Sequence, residues 1–342
     1  MTQRSLLFLC AVSASCLILA VGAAHAYAFQ TASKPNYDPP ANLVRTDLPD
    51  WPYPKGAHEV SKPDDGQIFH IPGSTKHYTD TEINRSTSTV DWFPELHPAP
   101  PAPVIQGKEG AYSACGQCHL IDGRGKPDTA DLQGLPVAYF LQQLADMKDD
   151  KRHASVAHAS LADMIPVAKS LDEPDEKLAA DYFHSVKAGR SARVVETDSV
   201  PVTHPGVHNV QMVDASGAKE PIGTRIIEVP EDVKRTMLRD ATSGFIAYVP
   251  MGSVKRGELL AKTGGAGKTL PCGSCHGEGL RGNGDMFPPL AGRSPTATAR
   301  QLYDFKSGTR DGRYAPIMKP VVARLTDQDI VDLMAYIASL QP

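Results

Sequence analysis

Apolar residues recur at three- and four-residue spacing from Asp172 to Val186 and again from Thr326 to Leu340, so both stretches predict amphipathic helices. Thr326 followed by Asp329 adds an N-cap with an acidic first turn. Another helix is predicted over Ser253 to Thr263, stopped by Gly264-Gly265. Its upstream counterpart, Val104 to Ala114, is short and broken by Gly107 and Gly110, which predicts a stunted helix. Between these regions Arg193-Val194-Val195, Arg225 to Val229 and Gly244 to Val249 read as short strands between turns. From about Phe29 to Pro103 the chain is proline-rich, polar and poor in aliphatics, yet holds both tryptophans, Trp51 and Trp92. That pattern predicts an extended segment wrapped over a globular body and anchored by aromatics, rather than a separate core.

The helical regions are two copies of one unit. Gln142-Gln143-Leu144-Ala145-Asp146-Met147-Lys148, ending at Arg152, matches Arg300-Gln301-Leu302-Tyr303-Asp304-Phe305-Lys306, ending at Arg310, without a gap. Further on, Met164-Ile165-Pro166-Val167 aligns with Met318-Lys319-Pro320-Val321, and Leu171, Asp175 and Tyr182 align with Leu325, Asp329 and Tyr336.

The 342 residues allow two or three small domains. The balance of 35 basic and 39 acidic residues is too mild to argue for nucleic acid. Arg4, the apolar run Leu6 to Val21 and the small-x-small Ala24-His25-Ala26 predict a secretory signal peptide cut after Ala26, with Ala28 as a second choice. A retained membrane anchor and a lipidated Cys16 compete with removal, but Ser13-Ala14-Ser15 lacks the usual leucine before such a cysteine. The expected division is therefore signal peptide 1–26, proline-rich segment 27–104, first helical domain 105–187, β-rich insert 188–251 and second helical domain 252–342. The expected location is the periplasm.

Each copy opens its chemistry with a complete CxxCH: Cys115-Gly116-Gln117-Cys118-His119 and Cys272-Gly273-Ser274-Cys275-His276. CxxCH is the attachment pattern of c-type haem: two thiols add to the vinyl groups and the histidine falls under the iron. Zinc half-sites, redox pairs and disulfide staples use CxxC too. Zinc would want its second pair within a couple of dozen residues, and the other two give no reason for a histidine at the same offset twice. Cys10 and Cys16 lie in the leader, so the mature chain spends every thiol on the motifs. Two covalently bound haem c groups are expected.

Met164 and Met318, in register just before each closing helix, are the expected distal iron ligands beside His119 and His276. Met147, His153 and His158 are the rivals at the first haem; Met147 aligns with Phe305 and suits core packing. The remaining histidines, His97 among them, read as surface residues. Gly282, Gly284 and a carbonyl of the Pro288-Pro289 stretch suit the proximal side of the second haem, with Pro136 as the first-copy equivalent. Tyr303 and Arg310 are placed to reach haem propionates.

These residues resemble the class I cytochromes c, and their duplication resembles the di-haem members. The resemblance rests on CxxCH, Pro288-Pro289-Leu290, the late methionine and a closing helix carrying tyrosine, over roughly 105–187 and 252–342. It implies a mainly α fold: two cytochrome c-like helical haem domains joined by a small β-rich insert, with an extended proline-rich N-terminal segment. It also implies a periplasmic carrier passing single electrons from a dehydrogenase or quinol oxidase to a downstream cytochrome or terminal oxidase. A di-haem peroxidase is the enzymatic alternative, and needs an open distal site that paired methionines oppose. A cytochrome subunit held tightly in a dehydrogenase complex is the third reading. The membrane enters only through an uncleaved N-terminal anchor.

Overall fold

The computed structural model describes residues 37–53, 65–157, 159–206 and 209–342. The expected signal peptide, His58, His158 and His208 lie outside the described residues. Along 65–104 the chain makes a small hairpin, β1 (Ile68–Phe69) with β2 (Tyr78–Thr79), and then α1 (Asp80–Asn84), which opens on a reciprocal capping box between Thr79 and Glu82. Ile71, Ile83, Val90 and Trp92 bury one another together with Leu238, and Tyr78 meets Trp92 edge to face at 4.8 Å. The segment thus buries a small cluster that it shares with Leu238 of the insert, onto whose carbonyl the Trp92 indole donates at 2.7 Å, where the expectation was a wrap anchored by aromatics without a core. Three of its aliphatics, Ile71, Ile83 and Val90, meet at that spot although they are far apart in the sequence, which average composition conceals.

The first copy runs through α2 (Ala102–Ile105), α3 (Cys115–His119), α4 (Val137–Lys148), α5 (Leu161–Ser170) and α6 (Glu173–Ser185). The expected opening helix ends at Ile105, and the chain beyond it turns through a Lys108–Tyr112 bridge. The N-terminal segment covers what a longer helix would have covered. Thr89 and Gly107 exchange backbone hydrogen bonds with Ile105 and Thr87, and Ala114 donates to Ser86. Phe140, Leu144 and Met147 of α4 pack against Ala179, Ala180, Tyr182 and Phe183 of α6 to form the first core. Each large side chain so buried contributes about 1.5–3 kcal/mol.

The insert holds β3 (Ala192–Glu196), β4 (Ser199–Pro201), β5 (Thr203–Pro205), β6 (Gln211–Val213), β7 (Lys219–Pro221), β8 (Ile227–Pro230), α7 (Val233–Met237) and β9 (Phe245–Val249). The three expected strands are β3, β8 and β9, in one sheet ordered β3-β9-β8 with β3 parallel to β9. The pairs β4–β7 and β5–β6 are three-residue strands, all but β6 ending in proline, too short to leave a period in the sequence. Ala192, Phe245, Ala247 and Val249 face into the second copy's core, so the sheet is a layer of that domain as well as a connection.

The second copy comprises α8 (Ser253–Thr263), α9 (Gly273–His276), α10 (Pro295–Ser307), α11 (Ala315–Val322) and α12 (Asp327–Ser339). Here the opening helix is complete and Gly264 ends it at φ 71°. Gly257 lets α8 lie against α12, because a Cβ there would stand 1.9 Å from the Asp332 carbonyl oxygen. Ile330, Val331, Leu333, Met334 and Ile337 of α12 fill the core below. Among the described residues no helix is long and apolar enough to cross a membrane.

Candidate functional site

In both copies the CxxCH folds as a short helix ending on its histidine. His119 Nδ1–H donates to the Ala130 carbonyl at 2.7 Å, and His276 Nδ1–H donates to the Pro288 carbonyl at 2.8 Å. A carbonyl can only accept, so the proton sits on Nδ1 and the Nε2 lone pair is left for a metal. Burial lowers both imidazole pKa values and the carbonyls offset part of that, which keeps each ring neutral. Glycines close both loops: Gly125 N–H donates to the His119 carbonyl and Gly282 N–H to the His276 carbonyl, each at 2.8 Å. Their φ values are 72° and 94°, and a Cβ on Gly125 would meet the Ala130 oxygen at 2.7 Å. Pro288 fills the role expected of it, whereas Pro136 does not. Pro136 is the N-cap of α4, and the first copy's loop reaches its histidine from Ala130, a residue with no sequence signal.

All four motif cysteines are free thiols; Cys115, Cys272 and Cys275 are half-buried and Cys118 is exposed. Burial pushes Cys115 up to about 12 and Cys272 up to about 11, and raises Cys118 as well. Thiols held protonated this way are poor zinc or redox groups. Among the described residues no three His, Cys, Asp or Glu side chains gather into a metal-binding cluster.

Met164 and Met318 occupy the same place in α5 and α11, two residues before an internal proline, Pro166 or Pro320. Both are half-buried against the core that also holds the first cysteine of their motif. Met147 is buried in the first core, as its alignment with Phe305 suggests. His153 is buried, with Nδ1 3.4 Å from the Tyr37 carbonyl. His97 is not the surface residue expected. Its side chain is 3% exposed, Nε2 lies 3.2 Å from Asp91 Oδ1 and Nδ1 lies 3.1 Å from the Tyr182 hydroxyl. The hydrogen bond to Asp91 raises its pKa.

The duplicated Gln and Arg meet at the seam between the copies. Arg152 donates to Gln143 and Gln301, and Arg310 donates to Gln301, Gln143 and the Tyr139 hydroxyl, all at 2.7–3.0 Å. Both guanidiniums are buried, and burial followed by repulsion from Arg310 lowers Arg152 to about 10. Arg152 Nε is buried without a hydrogen-bond partner, and among the described residues neither arginine forms an ion pair with a carboxylate. Two buried cations sharing neutral partners fit an anionic group such as a haem propionate. Tyr303 takes no such role, since its hydroxyl donates to Asp327 Oδ1 at 3.0 Å inside the second domain.

Sequence reading passed over two arginines. Arg239, at φ 56° after α7, donates to the Ile83 carbonyl and at 2.6 Å to the Gln117 carbonyl inside the first CxxCH. Arg293 spans the seam beside both proximal loops. Neither sits in a motif; only the fold gives them meaning.

A haem-attachment helix with a carbonyl-held histidine, built twice in one chain, defines a di-haem c-type cytochrome. The cytochrome c family model matches residues 255–341. The chain is 28% identical over 250 residues to cytochrome c4 of Stutzerimonas stutzeri, covering 71% of this chain and 91% of that protein. It is 35% identical over 231 residues to a thiosulfate dehydrogenase electron acceptor of Thiomonas intermedia, covering 66% of this chain and 78% of that protein. A solved thiosulfate dehydrogenase from Marichromatium purpuratum is 24% identical with a TM-score of 0.47, and the match spans 70% of this chain and 39% of that one. The chain belongs to the di-haem bacterial cytochromes c. It is an electron-transfer protein with two covalently bound haem c groups.

Proposed function

We propose that the chain is an exported, periplasmic carrier of single electrons. In this reading Cys115 and Cys118 would attach the first haem, and His119 and Met164 would hold its iron. Cys272 and Cys275 would attach the second, with His276 and Met318 holding its iron. The observation that carries the reading is the repeated proximal unit, a neutral histidine whose Nδ1–H is held by a loop carbonyl 2.7–2.8 Å away. When bound, each haem supplies a reversible one-electron couple. The protein's residues do the rest: the carbonyls orient the imidazoles, the soft thioethers favour ferrous iron, and Arg152 and Arg310 neutralise propionates at the seam. Paired methionines leave no open distal position, which separates the reading from a peroxidase. Similarity to the Thiomonas electron acceptor supports a donor dehydrogenase that oxidises a reduced sulfur anion such as thiosulfate. A downstream cytochrome or terminal oxidase is the acceptor.

The test is spectroscopic. The oxidised protein should show a methionine–iron band at about 695 nm. Met164→Ala and Met318→Ala should each remove about half of it. Each should also lower one haem's electron affinity at least tenfold, about 59 mV for one electron, with the other nearly unchanged. If Met164→Ala leaves band and potential intact, Met164 is not the ligand and His153 is next in line. Robust peroxide turnover by the unaltered protein would overturn the carrier reading.

A further inference from the structure

We propose that Arg293 is one positioning residue shared by both proximal histidines, a role that rests on reading His119 and His276 as the proximal ligands. Arg293 lies just before α10 in the second copy and is 8% exposed. Its Nε–H donates to the Pro289 carbonyl at 2.8 Å, the carbonyl next to the one that holds His276. Its Nη1 crosses the seam to the Asp131 carbonyl at 2.5 Å and pairs with Asp131 Oδ1 at 2.8 Å. Its Nη2 donates to the Gln133 carbonyl at 2.7 Å. Asp131 follows Ala130, whose carbonyl holds His119. A single planar guanidinium therefore grips the loop behind each histidine, one peptide away from each acceptor.

The far side of the contact is itself braced. Asp131 Oδ1 accepts from Gln133 N–H at 3.0 Å and Oδ2 accepts from the Ser191 hydroxyl at 2.9 Å, while Ser191 N–H donates to the Gly292 carbonyl at 2.8 Å. The link comes from the second copy alone. In the register that aligns Arg310 with Arg152, the first copy carries Leu135 in the place of Arg293. A lysine would retain the charge but not the three-way planar geometry. The strength and direction of the Nδ1–H bond set a ligand imidazole's basicity and orientation, so this guanidinium governs both irons' electron affinity from one place.

The experiment uses the full-length protein with both haems attached. The rates at which the two ligand-histidine Nδ1–H protons exchange with D₂O in the reduced state are followed by NMR, alongside the two reduction potentials. Arg293→Met should speed exchange at both histidines at least tenfold and move both potentials in the same direction. Arg293→Lys should exchange as fast as Arg293→Met, since it keeps charge without the grip. Asp131→Asn should speed exchange at His119 only, because it removes the ion pair that tightens the first loop's grip while nothing on the Pro289 side changes. Thr326→Ala, which weakens the second domain away from both loops, should leave both rates unchanged. Arg293→Lys restoring both rates would reduce the residue to a point charge, and Thr326→Ala matching Arg293→Met would reduce it to fold stability; either overturns the proposal. So would an effect on one histidine or on neither. If Arg293→Met fails to retain haem, Arg293→Lys and Asp131→Asn decide. Absence of two such protons in the unaltered protein would overturn the proximal assignment, and this proposal with it.

Discussion

The two haem domains reach the same proximal geometry from different surroundings. The second is enclosed by its own helices, with α8 lying on α12 through the Gly257 contact. The first has a four-residue remnant in place of that helix, and its CxxCH is closed from outside by residues 83–89 and by Arg239. Gln117 Nε2–H donates to the Ile83 carbonyl at 3.1 Å and Arg239 donates to that carbonyl as well, so segment, motif and insert meet at one oxygen. After the histidine both chains take positive φ, at Gly277 in the second domain but at Leu120 in the first, with φ 62° and ψ 160°. That is a conformation essentially reserved for glycine, and costs about 1–3 kcal/mol. What the site conserves between its copies is the loop returning a carbonyl to the histidine. The outer wall is replaceable.

The comparison breaks most visibly if each wall is removed in turn. Trp92→Ala should cost about 3–5 kcal/mol, since it empties the small core beneath the N-terminal segment and loses the 2.7 Å bond from the indole to the Leu238 carbonyl. Gly257→Ala should cost about 3 kcal/mol, because the obstructing atom is a backbone oxygen that cannot rotate away. Hydrogen exchange should then rise in α1 and α3 for the first variant and in α8 and α12 for the second. Unaltered protection of α3 in Trp92→Ala would show that the outer wall does not hold the first site.

A smaller effect separates two aligned carboxylates. Asp304 is buried at the seam, accepts from Ser155 N–H and Oγ–H at 2.8 Å, and has Tyr53, Thr309, Arg310 and Arg152 around it. Burial pushes its pKa up to about 6, against the pull of Ser155 and the two arginines. The folded chain therefore holds this proton more tightly than the unfolded one. The stability this carboxyl contributes is fully present below about pH 4 and is lost as pH rises through about 6, by at most about 3 kcal/mol. Asp304→Asn should remove that part of the fall in melting temperature between about pH 4 and pH 6. Its counterpart Asp146 accepts from Gln142 Nε2–H and from Arg313 N–H instead.

The legible parts of this molecule were those with a period or a motif. The closing helices, α8 with its glycine stop and the two CxxCH units all follow from local spacing, and the structure places them within a residue or two. The Ala130 carbonyl was not legible, because any residue can offer a backbone oxygen and the first loop reaches its histidine one residue earlier than the second. Arg239, Arg293 and His97 act through partners far off in sequence, so no window of the chain could have shown them. The N-terminal core escaped because Ile71, Ile83, Val90 and Trp92 follow no helical or strand period.

The smallest expected effect bears on whether the two domains are thermodynamically separate. Both closing helices are capped: Asp172 accepts from Asp175 N–H, and Thr326 and Asp329 form a reciprocal box. Removing either cap, as Asp172→Ala or Thr326→Ala, should cost about 1 kcal/mol. Separate domains would register these losses on different transitions. The seam opposes that, since Arg293, Arg152, Arg310 and the pair Asp304–Ser155 cross it with buried polar groups whose partners lie on the other side. Parting the domains would strand those groups, and a buried polar group left unpaired costs about 1–3 kcal/mol. Each cap variant should therefore shift one shared calorimetric transition by a few degrees. Two resolved transitions, with Asp172→Ala moving one and Thr326→Ala the other, would show that the domains melt independently.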